Sequence, residues 1–315
     1  MSELITIADT VDEALATTGE YRAGGTDVQA RRRRGLSRGP LVDIHRLPGY
    51  DSISRDEAGA TTIGALVKLQ TVATDEEMEN LYPGLAQAAG ALATPQIRNM
   101  ATLGGSLLQR TRCWYYRHPQ IECYKSGADH CPARAGHNPN GVIFDLGPCV
   151  YAHPATMGMA LLAYEATYTI HGQEPHPLAE LFGDGTNPYH DHTLAADQLL
   201  THVHLPPPVA DEKAAYFRVI ARAEAEWPMV ECLARLVVAQ DTITLARVAV
   251  GGVANIPLRL PAVEAALEGE TLGQALLEEA AGRAAEGANP LPQTAYKVKF
   301  LVNGVLETLE RAAAS

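Results

Sequence analysis

The sequence lacks the features that mark several broad classes of protein. Its 315 residues include only five cysteines, too few for a scaffold held together by disulfides. No run of about 18 apolar residues occurs, so we expect no membrane insertion. The 25 lysines and arginines are outnumbered by 37 aspartates and glutamates, and the formal net charge is −12. This acidic balance argues against nucleic-acid binding, which requires a basic surface.

Motifs of common nucleotide-binding and hydrolytic sites are also missing. The chain contains neither G-x-G-x-x-G nor G-x-x-x-x-G-K-[ST], which excludes the usual Rossmann and P-loop patterns. It has no nucleophile-elbow serine with a Ser–His–Asp order and no H-E-x-x-H. The N-terminus has no basic stretch before an apolar core, so we expect no signal peptide of its own. A chain without an evident acid, base or nucleophile fits electron transfer, in which a cofactor supplies the chemistry.

The remaining composition indicates a folded chain of two domains. Hydrophobic residues form 46% of the chain and charged residues 20%, as in ordinary globular proteins. The proline run at 206–208 favours a boundary at about 208–213, because proline interrupts helices and strands. Short strands and helices alternate before this boundary, and an α+β pattern with two long amphipathic helices follows it. We therefore expect one domain over 1–208 and a second over 213–315.

Two short glycine motifs lie in the first of these domains. The sequence is Gly-Gly-Thr at 24–26 and Gly-Gly-Ser at 104–106. Glycine allows backbone N–H groups to approach an anion, and the neighbouring hydroxyl can also donate a hydrogen bond. Each motif alone is compatible with an ordinary turn. Two such loops together are able to hold a diphosphate from more than one side.

Four of the five cysteines are grouped in the spacing C-x9-C-x7-C-x17-C, at Cys113, Cys123, Cys131 and Cys149. The segment between them shows little helical or strand periodicity, and bound metal can order such a segment. The paired C-x2-4-C motifs typical of structural zinc are absent, which favours an iron–sulfur cluster. Zinc, two disulfides and a chance grouping remain open from the spacing alone.

Four segments spread along nearly the whole chain carry a family likeness. They read A-G-G-T-D at 23–27, T-I-G-A at 62–65, T-P-Q-I-R-N-M-A-T-L-G-G-S at 94–106 and A-R-V-A-V-G-G-V-A at 246–254. Jointly they resemble the FAD-binding, or medium, subunits of the molybdenum hydroxylases. That family includes the flavoproteins of xanthine dehydrogenase, carbon monoxide dehydrogenase and aldehyde oxidoreductase. The resemblance implies an α+β fold: a two-subdomain α/β FAD-binding fold of the p-cresol methylhydroxylase type, then a C-terminal α+β domain of the CO dehydrogenase flavoprotein type.

The resemblance also implies which residues bind FAD. The diphosphate is expected at 22–28 and 102–106, and the flavin near the segment 153–157. Family members usually carry Asp where this chain has Thr156, and Lys where it has Arg218. The expected cofactor-binding residues are Arg22, Ala23, Gly24, Gly25, Thr26, Asp27, Val28, Thr102, Gly104, Gly105, Ser106, Thr111, Thr156, Met157 and Arg218.

An insertion at about 109–150 resembles a subset of this family whose flavin subunit also holds a [4Fe-4S] cluster. The sequence L-L-Q-R-T-R-C at 107–113 is similar to the aldehyde oxidoreductase member of that subset. By this resemblance the cluster ligands are Cys113, Cys123, Cys131 and Cys149. No residue of this chain is expected to be catalytic.

The resemblance further implies two partner subunits, a large molybdopterin-binding subunit and a small [2Fe-2S] subunit. Electrons would pass from the [2Fe-2S] centres to FAD in this chain and then to an external acceptor. Such a complex is expected in the cytoplasm, or in the periplasm by co-export with a partner that carries the signal. The second hypothesis is a non-redox assembly subunit, without FAD, in which zinc holds the cysteine segment.

Overall fold

The computed structural model describes residues 5–315, which begin with a small parallel sheet. Its three strands pair in the order β1-β3-β2. A capping box between Thr10 and Glu13 starts the first helix. The elements of this unit are β1 (Ile5–Ile7), α1 (Val11–Ala16), β2 (Glu20–Arg22), α2 (Val28–Arg33) and β3 (Leu41–Asp43).

The next segment begins a second sheet and adds five short helices. Thr102 accepts a hydrogen bond from the Gly105 N–H and so caps the last of these helices. The elements are β4 (Ile53–Arg55), β5 (Thr61–Gly64), α3 (Leu69–Thr74), α4 (Glu76–Leu81), α5 (Pro83–Ala91), α6 (Pro95–Arg98) and α7 (Leu103–Leu107).

The cysteine insertion follows α7 and contains little regular structure. A 3₁₀ turn (Tyr124–Ser126) and the helix α8 (Pro132–Ala135) are the only helical elements in 113–149, all of which the structure describes. The expected lack of periodicity is thus confirmed. The insertion has a small apolar cluster of its own, with six buried members: Cys113, Tyr116, Cys123, Ala133, Val142 and Val150. Ile143 and Phe144 are also buried, but they pack in the C-terminal core.

After the insertion the chain returns to the second sheet. The strands are antiparallel in the order β4-β5-β8-β6-β7. The sheet and helices share one apolar core, in which Tyr82 and Tyr164 meet edge to face with ring centroids 5.5 Å apart. The elements after the insertion are α9 (Thr156–Ala163), β6 (Thr167–Ile170), β7 (His176–Pro177), α10 (Leu178–Phe182) and β8 (Leu200–Leu205).

The C-terminal part consists of an antiparallel sheet, in the order β12-β11-β10-β9, covered by helices. The last helix confirms one of the two long helices expected there. The other is shorter, because Thr271 pairs with Thr242 and the chain tightens into a 3₁₀ turn at 283–285. The elements are β9 (Glu212–Val219), β10 (Val230–Ala239), β11 (Thr242–Gly251), β12 (Leu258–Arg259), α11 (Pro261–Leu267), α12 (Gln274–Gly282) and α13 (Tyr296–Ala314).

The segment that leads into α13 holds the cysteine insertion against the C-terminal sheet. The hydroxyl of Thr294 donates to the Val142 carbonyl at 2.8 Å, and the Lys297 ammonium donates to the Gly141 carbonyl at 2.8 Å. Both donors are buried. The insertion is therefore docked by hydrogen bonds as well as by its few apolar contacts. No helix within residues 5–315 is long and apolar enough to cross a membrane.

Candidate functional site

The loop between β2 and α2 forms one wall of a cavity of about 140 Å³, which we call the glycine cavity. A Cβ at Gly24 would lie 1.9 Å from the Met100 carbonyl oxygen, so only glycine fits there. Gly25 has φ +73°, a left-handed conformation that favours glycine. Among the described residues we find no acceptor for the N–H groups of Gly24, Gly25 and Thr26. These donors are available to an anion in the cavity.

The second glycine loop lines the same cavity through Thr102, Gly104 and Gly105. A Cβ at Gly104 would lie 2.9 Å from the Ala65 Cβ, so glycine allows the loop to pack closely. Its N–H groups, unlike those of the first loop, already have partners: Gly104 donates to the Ala65 carbonyl and Gly105 to the Thr102 hydroxyl. Ser106 is buried beside the cavity rather than in its wall. The structure brings the two loops together, but they differ in the donors they offer.

A larger cavity of about 980 Å³, which we call the large groove, adjoins the glycine cavity. Both are lined by Glu20, Tyr21, Arg31 and Gln198. Small-molecule and cofactor sites typically occupy about 300–1,000 Å³. The two adjoining spaces together are therefore large enough for a cofactor-sized ligand.

Asp27 lies in the wall of the glycine cavity and is surrounded by arginines. Its carboxylate is 3.0 Å from Arg31 Nε, 3.1 Å from Arg112 Nη1 and 2.8 Å from Arg117 Nη2. Burial alone would raise the pKa of Asp27, but Arg112, Arg117 and Arg31 together lower it. Asp27 makes no side-chain capping bond at α2. Its carboxylate ties the first glycine loop to the cysteine insertion.

The other residues expected near the flavin lie outside the glycine cavity. Thr111 faces the cysteines, whereas Thr156 and Met157 are buried at the start of α9. Arg218 is partly exposed on β9, opposite Glu231 in the β9–β10 register. The structure thus separates these residues from the two glycine loops.

A third cavity, of about 270 Å³, contains a buried acid that sequence reasoning missed; we call it the carboxyl cavity. Burial raises the pKa of its Glu231 to about 7, although the Tyr216 hydroxyl donates to that carboxyl at 2.8 Å. The Thr156 hydroxyl makes no hydrogen bond of ordinary geometry, but it faces Glu231 and also lowers this pKa. Lys297 lines the same cavity, and burial lowers its pKa to about 7. Nothing in the local sequence around Glu231 distinguishes it from an exposed strand residue.

The four clustered cysteines line a single pocket, which we call the sulfur pocket. Cys113, Cys123 and Cys149 are buried and Cys131 is partly buried. All four are free thiols, so the alternative of two disulfides is wrong for this structure. Burial, with a smaller contribution from the neighbouring Cys149 and Cys131, raises the pKa of the Cys113 thiol to about 12.

The spacing of these sulfurs bears on what the sulfur pocket can hold. Within residues 5–315, no group of three or more His, Cys, Asp or Glu side chains is placed to hold a metal ion. A single zinc ion requires each sulfur about 2.3 Å from one point. An iron–sulfur cluster is larger, and each of its irons takes one cysteine. The structure brings the four cysteines of the sequence pattern to one pocket.

A charged group that sequence reasoning also missed lies between the sulfur pocket and the large groove. Asp191 is buried, 2.9 Å from Lys125 Nζ and 2.8 Å from Arg110 Nε. Burial opposes ionisation, but Lys125 and Arg110 outweigh it and hold the pKa of Asp191 at about 2. The buried His153 beside it has a pKa lowered to about 4 by burial, so that it is neutral at pH 7. These residues are far apart in sequence, and only the R-T-R-C pattern at 110–113 pointed toward them.

Comparison with known families assigns both halves of the chain. Residues 2–208 match the family described as "FAD binding domain in molybdopterin dehydrogenase". Residues 215–312 match the "CO dehydrogenase flavoprotein C-terminal domain". These matches support FAD binding, and the free backbone donors of the glycine cavity fit the diphosphate of that cofactor.

Individual relatives agree with this family assignment. The chain is 34% identical over 234 residues to the aldehyde oxidoreductase FAD-binding subunit PaoB of Escherichia coli (strain K12), covering 72% of each protein. It is 24% identical over 248 residues to the carbon monoxide dehydrogenase medium chain of Hydrogenophaga pseudoflava, covering 79% of this chain and 70% of that one. Both relatives are oxidoreductase subunits by name.

Solved structures show the same fold over nearly the whole chain. A carbon monoxide dehydrogenase from Hydrogenophaga pseudoflava superposes with a TM-score of 0.78, at 22% identity, over 99% of this chain and 97% of that chain. Quinoline 2-oxidoreductase from Pseudomonas putida 86 superposes with a TM-score of 0.76, at 18% identity, over 100% of this chain and 98% of that chain. The expected fold, an FAD-binding domain followed by a CO dehydrogenase flavoprotein C-terminal domain, is confirmed. The chain belongs to the FAD-binding subunits of the molybdenum hydroxylase family.

Proposed function

We propose that this chain is the electron-transfer subunit of a heterotrimeric molybdenum hydroxylase and that it carries both FAD and a [4Fe-4S] cluster. Its partners are a large molybdopterin-binding subunit and a small [2Fe-2S] subunit. The likeness to the aldehyde oxidoreductase subunit PaoB favours an aldehyde-oxidising complex. The observation that carries the proposal is that four cysteines share one pocket, joined to the first glycine loop by the ion pairs of Asp27 with Arg112 and Arg117.

In this proposal the glycine cavity holds the diphosphate of FAD. The N–H groups of Gly24, Gly25 and Thr26 donate to the phosphate oxygens, because they have no other acceptor among the described residues. The second loop contributes close packing at Gly104, in the first turn of the short helix α7. Thr156, Met157 and Arg218 are proposed to lie on the flavin side. FAD, when bound, accepts electrons in pairs and releases them to an outside acceptor.

The sulfur pocket holds the cluster through Cys113, Cys123, Cys131 and Cys149. The thiols must lose their protons to bind iron, and burial makes this costly for Cys113, whose pKa is raised to about 12. Iron binding therefore has to drive that deprotonation. The cluster, when bound, supplies one-electron transfer next to the flavin. Tyrosines in the pocket wall exclude water from the sulfurs: Tyr115, Tyr116, Tyr124 and Tyr151.

Ion pairs join the two proposed cofactor sites. Asp27, beside the diphosphate donors, contacts Arg112 and Arg117 on either side of Cys113. This arrangement fixes the first glycine loop relative to the first cysteine. The same proposal keeps the domain division at 1–208 and 213–315 and a location in the cytoplasm, or in the periplasm after co-export with a partner.

Iron content and colour test the proposal directly. The full chain, produced with adequate iron and riboflavin, is expected to bind FAD and about four irons. Cys123→Ser is expected to lose most of this iron while it retains FAD. Cys232→Ser is the matched control, because Cys232 is fully buried in the C-terminal core, away from the sulfur pocket. Full iron content in Cys123→Ser would contradict the cluster.

The alternative function, a non-redox assembly subunit with a structural zinc ion, gives a different result in the same experiment. That protein would be colourless, free of FAD and loaded with one zinc. The sequence argues against it, because the paired C-x2-4-C motifs typical of structural zinc are absent. A purified wild-type chain with one zinc and no flavin absorbance would replace the electron-transfer proposal by this one.

A further inference from the structure

Lys125 is a buried cation in the wall that separates the sulfur pocket from the large groove. It lies in the 3₁₀ turn two residues after Cys123, and its side chain is only 5% exposed. It lines both spaces. Among the described residues in the wall of the sulfur pocket, it is the only cationic side chain.

The charge of Lys125 is held in place by specific contacts. Its Nζ is 2.9 Å from Asp191 Oδ1 and donates to the His190 carbonyl at 2.7 Å. Asp191 also pairs with Arg110, so this group contains two cations and one anion. His153 and His192, which border it, are neutral at pH 7, since burial lowers both pKa values to about 4. The group therefore carries a net positive charge.

We propose that the Lys125 ammonium, anchored by Asp191, raises the reduction potential of the cluster in the sulfur pocket. This inference rests on the proposed function. Reduction of a cluster adds one negative charge, and a nearby buried cation stabilises that charge. Screening by water is weak here, because the side chains of Lys125 and Asp191 are both at most 5% exposed. The Asp191 carboxylate, which does not line the sulfur pocket, opposes this effect from farther away.

The geometry explains why the chain keeps an ion pair in this wall. A lysine facing only the thiols would leave a buried charge without a partner before iron is bound, which is costly. Asp191 compensates that charge and also accepts from the Thr111 N–H at 3.2 Å. The carboxylate thus positions Lys125 and orders the backbone that leads to Cys113. In this arrangement Lys125 and Asp191 act on the cluster with opposite sign.

The test is a redox titration of the iron- and FAD-loaded protein, followed by the electron paramagnetic resonance signal of the reduced cluster. Lys125→Met is expected to move the midpoint potential to a more negative value, and Lys125→Arg to keep it near the wild-type value. Asp191→Asn, which preserves an oxygen acceptor, is expected to move it to a more positive value. Lys213→Met is the control: that lysine lies on β9 and donates to the Ala313 carbonyl.

The opposite signs separate electrostatic tuning from a purely structural role. A purely structural role would lower the iron content, or shift the midpoint potentials of Lys125→Met and Asp191→Asn in the same direction. An iron-loaded Lys125→Met with the wild-type potential would overturn the inference, as would equal-sign shifts in the two variants. If Lys125→Met fails to load iron, Asp191→Asn decides: a positive shift supports the inference and any other result overturns it. A wild-type chain without a cluster signal would refute the proposed function itself.

Discussion

The cysteine insertion and the C-terminal domain contrast sharply in what holds them together. The C-terminal sheet and helices share a large buried core, and Leu301, Val305 and Leu309 follow one face of α13 at helical spacing. The insertion's own cluster has only six buried apolar side chains, two of which are cysteines, and its Ile143 and Phe144 pack in the C-terminal core instead. One region is therefore stabilised mainly by apolar burial. The other relies more on hydrogen bonds and ion pairs and, in the proposed function, on the ligand of its sulfurs.

Charged contacts are denser around the insertion than its small core would suggest. Arg134 forms a two-pronged ion pair with Asp145 at 2.7 and 2.8 Å, within the insertion. Arg117 and Lys125 connect it to Asp27 and Asp191 of the flanking domain. Partly exposed pairs contribute little each, so the buried pairs, together with the cluster proposed above, are expected to matter more for the stability of the insertion. The difference between the regions yields four predictions.

Removal of iron is expected to produce the largest difference between the two regions. An iron-free preparation should be cleaved within 113–149 at least about tenfold faster than the loaded protein, since the loss of a bound cluster opens the insertion. Cleavage in the C-terminal domain should stay slow. Limited proteolysis with mass spectrometry of the fragments measures both rates. Equal protection of the insertion with and without iron would contradict the view that its ligand orders it.

Leu301→Ala is expected to destabilise the C-terminal domain and to leave the insertion intact, the reverse of iron removal. Leu301 is fully buried under the C-terminal sheet, and truncation of such a side chain costs about 2–5 kcal/mol. Denaturant unfolding should show this loss, while iron content remains at the wild-type level. Lys299→Ala, at an exposed position on the same helix, is the control and should change stability by less than about 0.5 kcal/mol. A parallel loss of iron in Leu301→Ala would show that the two regions are not separable.

The two regions also differ in how much the sequence reveals. Some features depend only on residues that are near one another in the sequence. The spacing of apolar residues in α13 predicts a helix, the glycine pairs predict a cavity, and the grouping of the cysteines predicts a shared pocket. The contacts of Asp27 with Arg112 and Arg117, and of Lys125 with Asp191, join positions far apart in the chain. Tertiary folding alone creates these pairs, so no local pattern predicts them. The burial of Glu231 was missed for the same reason.

Glu231 is expected to make the free energy of unfolding depend on pH, and Glu231→Gln is expected to remove that dependence. Its pKa is about 7 in the folded chain against 4.5 when unperturbed, because burial favours the neutral acid. The contribution of Glu231 to the free energy of unfolding is therefore complete below pH 4.5 and is lost as the pH rises through 7. The loss is on the order of 3 kcal/mol. From pH 5 to 8 the wild type should lose stability relative to Glu231→Gln.

Thermal unfolding of both proteins between pH 5 and 8 measures this difference. Glu279→Gln, which alters an exposed carboxylate on α12, is the control and should follow the wild-type curve. Parallel curves for the wild type and Glu231→Gln would mean that the buried carboxyl does not titrate in this range.

The smallest expected effect lies where the two regions meet. The buried Thr294 hydroxyl donates to the Val142 carbonyl of the insertion at 2.8 Å, and Thr294→Val keeps the shape while it removes that donor. The carbonyl then lacks its partner, at a cost of about 1–2 kcal/mol. Hydrogen exchange should show faster opening of the chain around Val142, with little change in the C-terminal core. Thr271→Val, at an exposed position in the same domain, should leave the exchange rates around Val142 and in the C-terminal core unchanged. Uniform loosening of the C-terminal core would instead mean that the two regions unfold as one unit, which removes the distinction between them.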